Sequence, residues 1–289
     1  MIIIEPIGGL GNQLFIYAIG LANASRLGTP LVADRTRICS DPDRHFELSS
    51  FDSSVSLEPA PVVPPKASIR YQVHRYSRRL GFPLTLRNIV YDSAVGFDQR
   101  LLNVRDGTRF RGYFQSWRYA EGIKNRLRAE LSNVTEPSPE FSLWRKKLEG
   151  KRDWVAVHVR RGDYESLPHM HLPEAYYEKA LEHLGAQHTD AKIVVFSDAP
   201  SAVRTMKIWN SYPYVSFAPG PHLLQPIETL LLMSFAPRIV IANSSFSWWA
   251  AYLGRSSPNS VVFPEPWSAN LMVPPDFIPN GWTPIGYEI

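Results

Sequence analysis

Cysteine is almost absent. Cys39 is the single thiol among 289 residues, so no intrachain disulfide is possible and a cysteine-rich metal site is excluded. A reducing cytoplasm is the expected compartment. Long hydrophobic runs are missing too: the most apolar extended window, Leu223 to Ala242, is interrupted by Pro226, Glu228, Pro237 and Arg238, short of the ~20 apolar residues that a bilayer span requires. The opening run MIIIEPIGGLG meets Glu5 too early for a secretory leader. No GxxxxGK[ST] segment occurs, which excludes a P-loop kinase, and there is neither an internal repeat nor a long low-complexity segment. A large charge of one sign is lacking as well. The 31 Lys and Arg against 27 Asp and Glu leave +4 and a pI near 9.1, mild basicity that suits a phosphate-bearing ligand, an anionic membrane surface or nucleic acid. No clustered aromatic-basic motif supports the last, so no nucleic acid is expected.

What is present is the composition of a soluble globular protein, 44% apolar and 20% charged, at a length that suits two domains. Residues 2 to 34 read as strand, glycine-rich turn, helix and strand: Ile2-Ile3-Ile4, GGLGNQ, Leu14 to Leu27 closed by Gly28, then Leu31 to Asp34. This is the start of a βαβ unit. The proline-rich EPAPVVPP (58 to 65) reads as extended chain and precedes a basic stretch, Lys66 to Arg79. There Ile69, Val73, Tyr76 and Leu80 recur at helical spacing among arginines, either a peripheral contact with anionic membrane or a surface helix packed on its own domain. FRGYFQSWRYAEGIKNRLRAEL, near 110 to 130, reads as a short strand and a helix.

The second half alternates. Strands are expected at 154 to 159, 192 to 196, 214 to 217, 238 to 242 and 260 to 263, with helices at 174 to 184, 201 to 209, 226 to 235 and 247 to 253. Such alternation builds a parallel sheet covered by helices, an α/β architecture. The boundary falls near Gly150, giving domains 1–150 and 151–289.

Ligands of open parallel sheets bind beyond the carboxyl ends of the strands, and four strand ends here carry chemistry. In VAVHVRRGDY (155 to 164), strand alternation turns His158 and Arg160 one way and Arg161 the other. One arginine then reaches an anionic ligand while the other pairs structurally; Gly162 permits the turn that brings Asp163 back to hold a guanidinium. A structural arginine–aspartate pair at a domain seam is the competing reading. In IVIANSSFSWWAAYLG (239 to 254), a strand enters Asn243-Ser244-Ser245 before a helix, either an anion site or an ordinary N-cap. After VVF, Ser197 and Asp198 stand where a carboxylate accepts from a ribose hydroxyl or guanine edge, or caps the next helix, capping being the simpler role. Finally, Gly9 and Gly11 with Asp34 some twenty residues on match part of a dinucleotide fingerprint, so a nicotinamide-dependent oxidoreductase is a rival. Leu14 at its third glycine position and the amides of Asn12 and Gln13 weaken it.

Other patterns are set aside. Asp41-Pro42-Asp43 follows no apolar strand, His169-Met170-His171 lacks a third ligand at useful spacing, and the Asn133-Val134-Thr135 sequon has no meaning without secretion.

GGLGNQLFIYA (8 to 18), GYFQSWRYA (112 to 120), HVRRGDY (158 to 164) and ANSSFSWWAAYLG (242 to 254) occur together and in this order. In these segments the chain resembles the bacterial α-1,2-fucosyltransferases. The resemblance implies a GT-B-like fold of two Rossmann-like domains facing a cleft, the first for acceptor and the second for donor. It also implies GDP-fucose as donor, a galactoside-containing glycan as acceptor, inversion at the anomeric carbon, and no metal or other cofactor. By motif, Arg160 would stabilise departing GDP, His158, Arg161 and Asp163 would shape its pocket, and Ser244, Ser245 and Phe246 would line the phosphate side. Asp198 would sit near guanine or ribose, and Asn12 would face the donor from the glycine loop. Trp117, Ala199 and Thr229 stand where the family more often has acidic residues, which bears on nucleotide contacts and acceptor choice. No general base is evident; Asp34, Asp92 and Asp98 are candidates by position alone.

Overall fold

A computed structural model describes residues 1–56, 88–92, 96–162, 164, 167–186, 190–269, 273 and 275–288. The proline-rich segment, the basic stretch 66–79 and Asp163 lie outside the described residues, so the membrane-contact reading and the proposed Asp163 pairing concern positions without a structural description.

Two compact units form, Met1–Glu130 with Pro274–Phe277, and Leu131–Val273 with Ile278–Ile289. In the first, β1 (Ile2–Glu5) is wholly buried and leads through Gly8, at φ 71°, into α1 (Leu10–Leu27). The helix ends on Gly28 in the left-handed region (φ 61°), where glycine avoids the Cβ penalty of other residues. Gly20 lets α1 approach the sheet: a Cβ there would lie 2.5 Å from Ile4 Cγ2 and 2.9 Å from Leu31 Cδ1. The other strands are β2 (Leu31–Ala33), β3 (Val55–Ser56), β4 (Ile89–Tyr91) and β5 (Arg109–Arg111), parallel in the order β3-β2-β1-β5-β4. Helix α2 (Lys124–Ser132) follows.

The carboxyl edge of this sheet carries a buried ion network. Arg109 and Arg111, two apart on β5, share a face. Arg111 grips the Glu5 carboxylate through Nε and Nη2, each at 2.6 Å, and Arg109 Nη1 reaches Glu5 at 3.0 Å and Asp34 at 2.5 Å. Glu5 is 1% exposed. A charge so buried is tolerable only when paired.

The second unit begins earlier than the boundary expected at 150. Helix α3 (Pro139–Leu148) belongs to it, because its N-cap Ser138 donates through backbone and hydroxyl to the buried Glu228 carboxylate, at 2.5 and 2.9 Å. Conversely, Phe277 from the C-terminal part packs on Phe15 in the first unit, ring centroids 5.8 Å apart. The remaining elements are β6 (Trp154–Val159), α4 (Glu174–His183), β7 (Lys192–Ser197), α5 (Pro200–Arg204), β8 (Val215–Phe217), α6 (Pro226–Ser234), β9 (Arg238–Val240), α7 (Ser245–Leu253), β10 (Val261–Glu265) and β11 (Thr283–Gly286). Their sheet is parallel, in the order β11-β10-β9-β6-β7-β8.

Two local expectations change. The single helix expected over 201 to 209 is broken at Met206, which is buried in extended backbone (φ −64°, ψ 135°), and a 3-10 turn (Lys207–Ser211) follows. The helix expected from Ser247 starts at Ser245, because Ser244 provides the cap.

Replacing Glu5 with alanine strips two guanidiniums of a shared buried carboxylate. Unfolding in urea should show a loss of about 3–5 kcal/mol.

Candidate functional site

The order of the second sheet places a topological switch at β6. From β6 the chain moves outward to β7 and β8, whereas β9, β10 and β11 build on the other side. Ligands bind where the winding reverses, beyond the carboxyl ends of the two central strands. Here those are the ends of β6 and β9, followed by Arg160 and by Asn243-Ser244.

The side chains there interlock. Asp198, at the end of β7, places Oδ2 3.0 Å from Arg160 Nη1, and its Oδ1 accepts the Arg161 backbone N–H at 2.9 Å. The Arg160 guanidinium also lies 5.5 Å from the centre of the Tyr164 ring, and the Tyr164 hydroxyl donates to the Asn243 carbonyl at 3.0 Å. That contact ties the loop after β6 to the segment before α7. Arg161 takes a separate direction, its Nη1 3.4 Å from His171 Nδ1. The two arginines therefore do not form one fork, as strand alternation requires.

His158, 3% exposed on β6, lies 5.7 Å from the Phe246 ring on α7. Burial, reinforced by the nearby Arg160 charge, pushes its pKa down to about 3, so the imidazole is neutral under all ordinary conditions. Among the described residues its Nδ1 has no hydrogen-bond partner, nor do the buried Asn243 Oδ1 and His171 Nε2. The Asn243 amide nitrogen donates to the Met170 carbonyl at 2.9 Å. Such orphaned polar atoms cost folding energy unless a ligand uses them.

Ser244 is the N-cap of α7, its hydroxyl accepting the Phe246 N–H at 3.3 Å. Ser245 opens the helix, half-buried. Ser197 accepts the Ala199 N–H at 3.0 Å and starts the turn after β7. The expectation that Asp198 caps the next helix is corrected: Ala199 occupies the cap position of α5 with no side-chain bond, while the Asp198 carboxylate is held by the Arg160 guanidinium and the Arg161 backbone amide, far back in the chain.

In the first unit, Gly9 is the N-cap residue of α1 and Gly11 is buried in its first turn. Asn12 Oδ1 accepts from Gln115 Nε2 at 3.0 Å, joining GGLGNQ to GYFQ. Gln13, fully buried, staples the same turn: it donates to the Gly8 and His45 carbonyls at 2.8 and 2.7 Å and accepts the Glu47 N–H at 2.9 Å. The two amides that fit no dinucleotide fingerprint thus secure the glycine loop. Among the described residues, no cluster of three or more His, Cys, Asp or Glu is arranged to hold a metal ion, and no helix is long and apolar enough to cross a membrane.

A family model, glycosyl transferase family 11, matches residues 90–280, well over half of the chain. The chain belongs to this family. Curated relatives include the O-antigen biosynthesis glycosyltransferase WbnK of Escherichia coli, 28% identical over 91% of this chain and 93% of its own. An alpha-1,2-colitosyltransferase of E. coli is also 28% identical, covering 90% of each chain, and a galactoside 2-alpha-L-fucosyltransferase of Caenorhabditis elegans is 24% identical over 96% of this chain and 77% of its own. Among solved structures, that of the NodZ alpha-1,6-fucosyltransferase soaked with GDP-fucose superposes with a TM-score of 0.50 at 16% identity, covering 88% of this chain and 92% of that one. The fold is accordingly GT-B, and this family 11 protein is a glycosyltransferase. The oxidoreductase reading is not supported, and its acidic residue is committed elsewhere: Asp34 accepts from Thr36 and pairs with Arg109.

The three candidate bases hold their own unit together. Burial tends to raise the Asp34 pKa, but the Thr36 hydroxyl and amide and the Arg109 guanidinium outweigh it and hold the carboxyl below its ordinary value, which makes Asp34 a weak proton acceptor. Asp92 accepts the Tyr113 and Phe114 amides at 3.2 and 2.9 Å, and Asp98 is paired with Arg100. Sequence reasoning missed Tyr164 and His171 as parts of the site. Tyr164 ends the same HVRRGDY segment, whereas His171 gave no local signal because its partner is Arg161.

The buried His158 has a pH consequence. Its native pKa of about 3 lies below the ~6.5 of an unfolded histidine. Above about pH 6.5 both states are neutral; between about 6.5 and 3 only the unfolded chain binds the proton, so stability falls as pH falls. This group alone should contribute a slope of about 1.4 kcal/mol per pH unit in that window, and unfolding free energies of His158→Phe should lack it.

Proposed function

We propose that this enzyme transfers L-fucose from GDP-fucose to the 2-hydroxyl of a galactoside-containing glycan with inversion, in the synthesis of a surface polysaccharide or oligosaccharide in the cytoplasm. The observation that carries the reading is a guanidinium, Arg160, held by Asp198 and set over Tyr164 at the switch point of the second sheet. The fucosyl- and colitosyltransferase relatives, both with 1,2-type names, support the donor class and linkage.

In this reading the bond between the anomeric carbon and the β-phosphate oxygen breaks with its electron pair leaving on GDP. The acceptor oxygen attacks from the opposite face and releases its proton. Arg160 opposes charge that grows only as the bond breaks, so it lowers the barrier rather than merely tightening binding; one such donor contributes about 3 kcal/mol. Arg161, His158, Asn243, Ser244, Ser245 and Phe246 form the walls of the donor pocket, with neutral His158 and the Asn243 side-chain Oδ1 as uncharged polar contacts. Asp163, Asn12 and the glycine loop complete the proposed set.

The decisive assay offers GDP-fucose and GDP-colitose, in separate incubations, with a panel of β-galactosides, followed by linkage analysis; an α1,2-fucosyl product is expected, and absence of turnover with every acceptor sinks the reading. Arg160→Ala should lower kcat by roughly 100-fold, the rate equivalent of about 3 kcal/mol. Arg160→Lys should be nearly as impaired, since an ammonium lacks the planar fork. Turnover should survive excess EDTA; a loss reversed by Mg²⁺ or Mn²⁺ would contradict an arginine-borne leaving group.

A further inference from the structure

We infer that Asp198 is a positioning residue for Arg160, and that Gly162 exists to leave room for it. The inference rests on the reading of Arg160 as the group that meets the diphosphate, and it gives Asp198 a role other than contact with guanine or ribose.

The two oxygens of Asp198 hold two different parts of one loop: Oδ2 takes the Arg160 guanidinium at 3.0 Å and Oδ1 the next backbone amide, that of Arg161, at 2.9 Å. A carboxylate bonded to both a side chain and the main chain beside it fixes the guanidinium relative to the strand end, not just near it. Arginine otherwise has many rotamers, and donors that stabilise a transition state do so because they are already placed when charge develops.

Gly162 supplies the clearance. A Cβ there would lie 2.4 Å from Asp198 Oδ2, 3.0 Å from its Cγ and 3.7 Å from its Cβ, and these are the nearest atoms. Gly162 is not among the glycines of positive φ, so its backbone suits any residue and the need for glycine is one of space. The Arg160 and Asp198 side chains are 23% and 17% exposed. The pair is thus only partly open to solvent, and the carboxylate restrains where the guanidinium sits without sealing it off.

The geometry predicts a specific non-additivity. Gly162→Ala acts by pushing the Asp198 carboxylate off Arg160. Once Asp198→Ala has removed that carboxylate, the added methyl has no described atom nearer than the Cβ at 3.7 Å, an ordinary contact. The test measures kcat and KM for GDP-fucose, the Kd of GDP and the Tm of the wild type, Gly162→Ala, Asp198→Ala, the double variant and Arg160→Ala. Each single change should lower kcat at least tenfold and weaken GDP binding by less, with Tm shifted by no more than a few degrees. The double variant should be no slower than Asp198→Ala. If both single variants keep kcat within twofold of the wild type while Arg160→Ala is crippled, Asp198 positions nothing. Multiplying losses in the double variant would show that Gly162 acts by another route. A fully active Arg160→Ala would instead bring down the donor reading itself, a result distinct from either.

Discussion

The pairing of β6 on both sides is the constraint from which the site follows. All six residues from Trp154 to Val159 pair with β7, but only Val155 to Val157 pair with β9. The central strand therefore runs two residues beyond its β9 contact, while the chain after β9 turns away through Ala242 and Asn243 into α7. His158 comes to lie against Phe246 in the space so opened, and Arg160 emerges where neighbouring strands no longer claim its backbone. On the other side β7 stays in register to Ser197, opposite Val159, which delivers Asp198 to the level of Arg160 and Arg161.

The two units use charge differently, and burial explains the contrast. At the edge of the first sheet, Glu5 and Arg109 neutralise one another out of solvent, with Arg111 and Asp34 closing the network at its partly exposed rim, a structural arrangement costly to form and costly to break. At the edge of the second, Arg160 and Asp198 remain partly exposed, so the guanidinium, in the role proposed for it, keeps access to an incoming anion while its position is restrained. The buried imidazole beneath them is uncharged, which avoids placing a second full positive charge against Arg160 in a poorly solvated pocket.

Local signals were legible where the physics is local. The run WVAVHV, apolar but for His158, marks β6 with its observed ends, because a strand buried on both faces needs no polar alternation. The Gly28 cap of α1 was equally plain. Strands of two to four residues, such as β3, β4 and β11, show too short a pattern to separate from loop; their pairing in the sheet makes them strands. The break at Met206 was hidden for the same reason, since Ile208 donates its amide to Glu174 on another helix, at 2.8 Å.

Residue type and strand period alone specify the α/β alternation and the opposite directions of Arg160 and Arg161, and the four motif segments carry the likeness to the fucosyltransferases without any coordinates. It took the folded chain to show what Asp198 holds, that Gly162 leaves space for it and has no positive φ, that Asp34 belongs to Arg109, and that His158 is neutral. Each of these depends on distance and burial between residues far apart in the chain, quantities that no local pattern encodes.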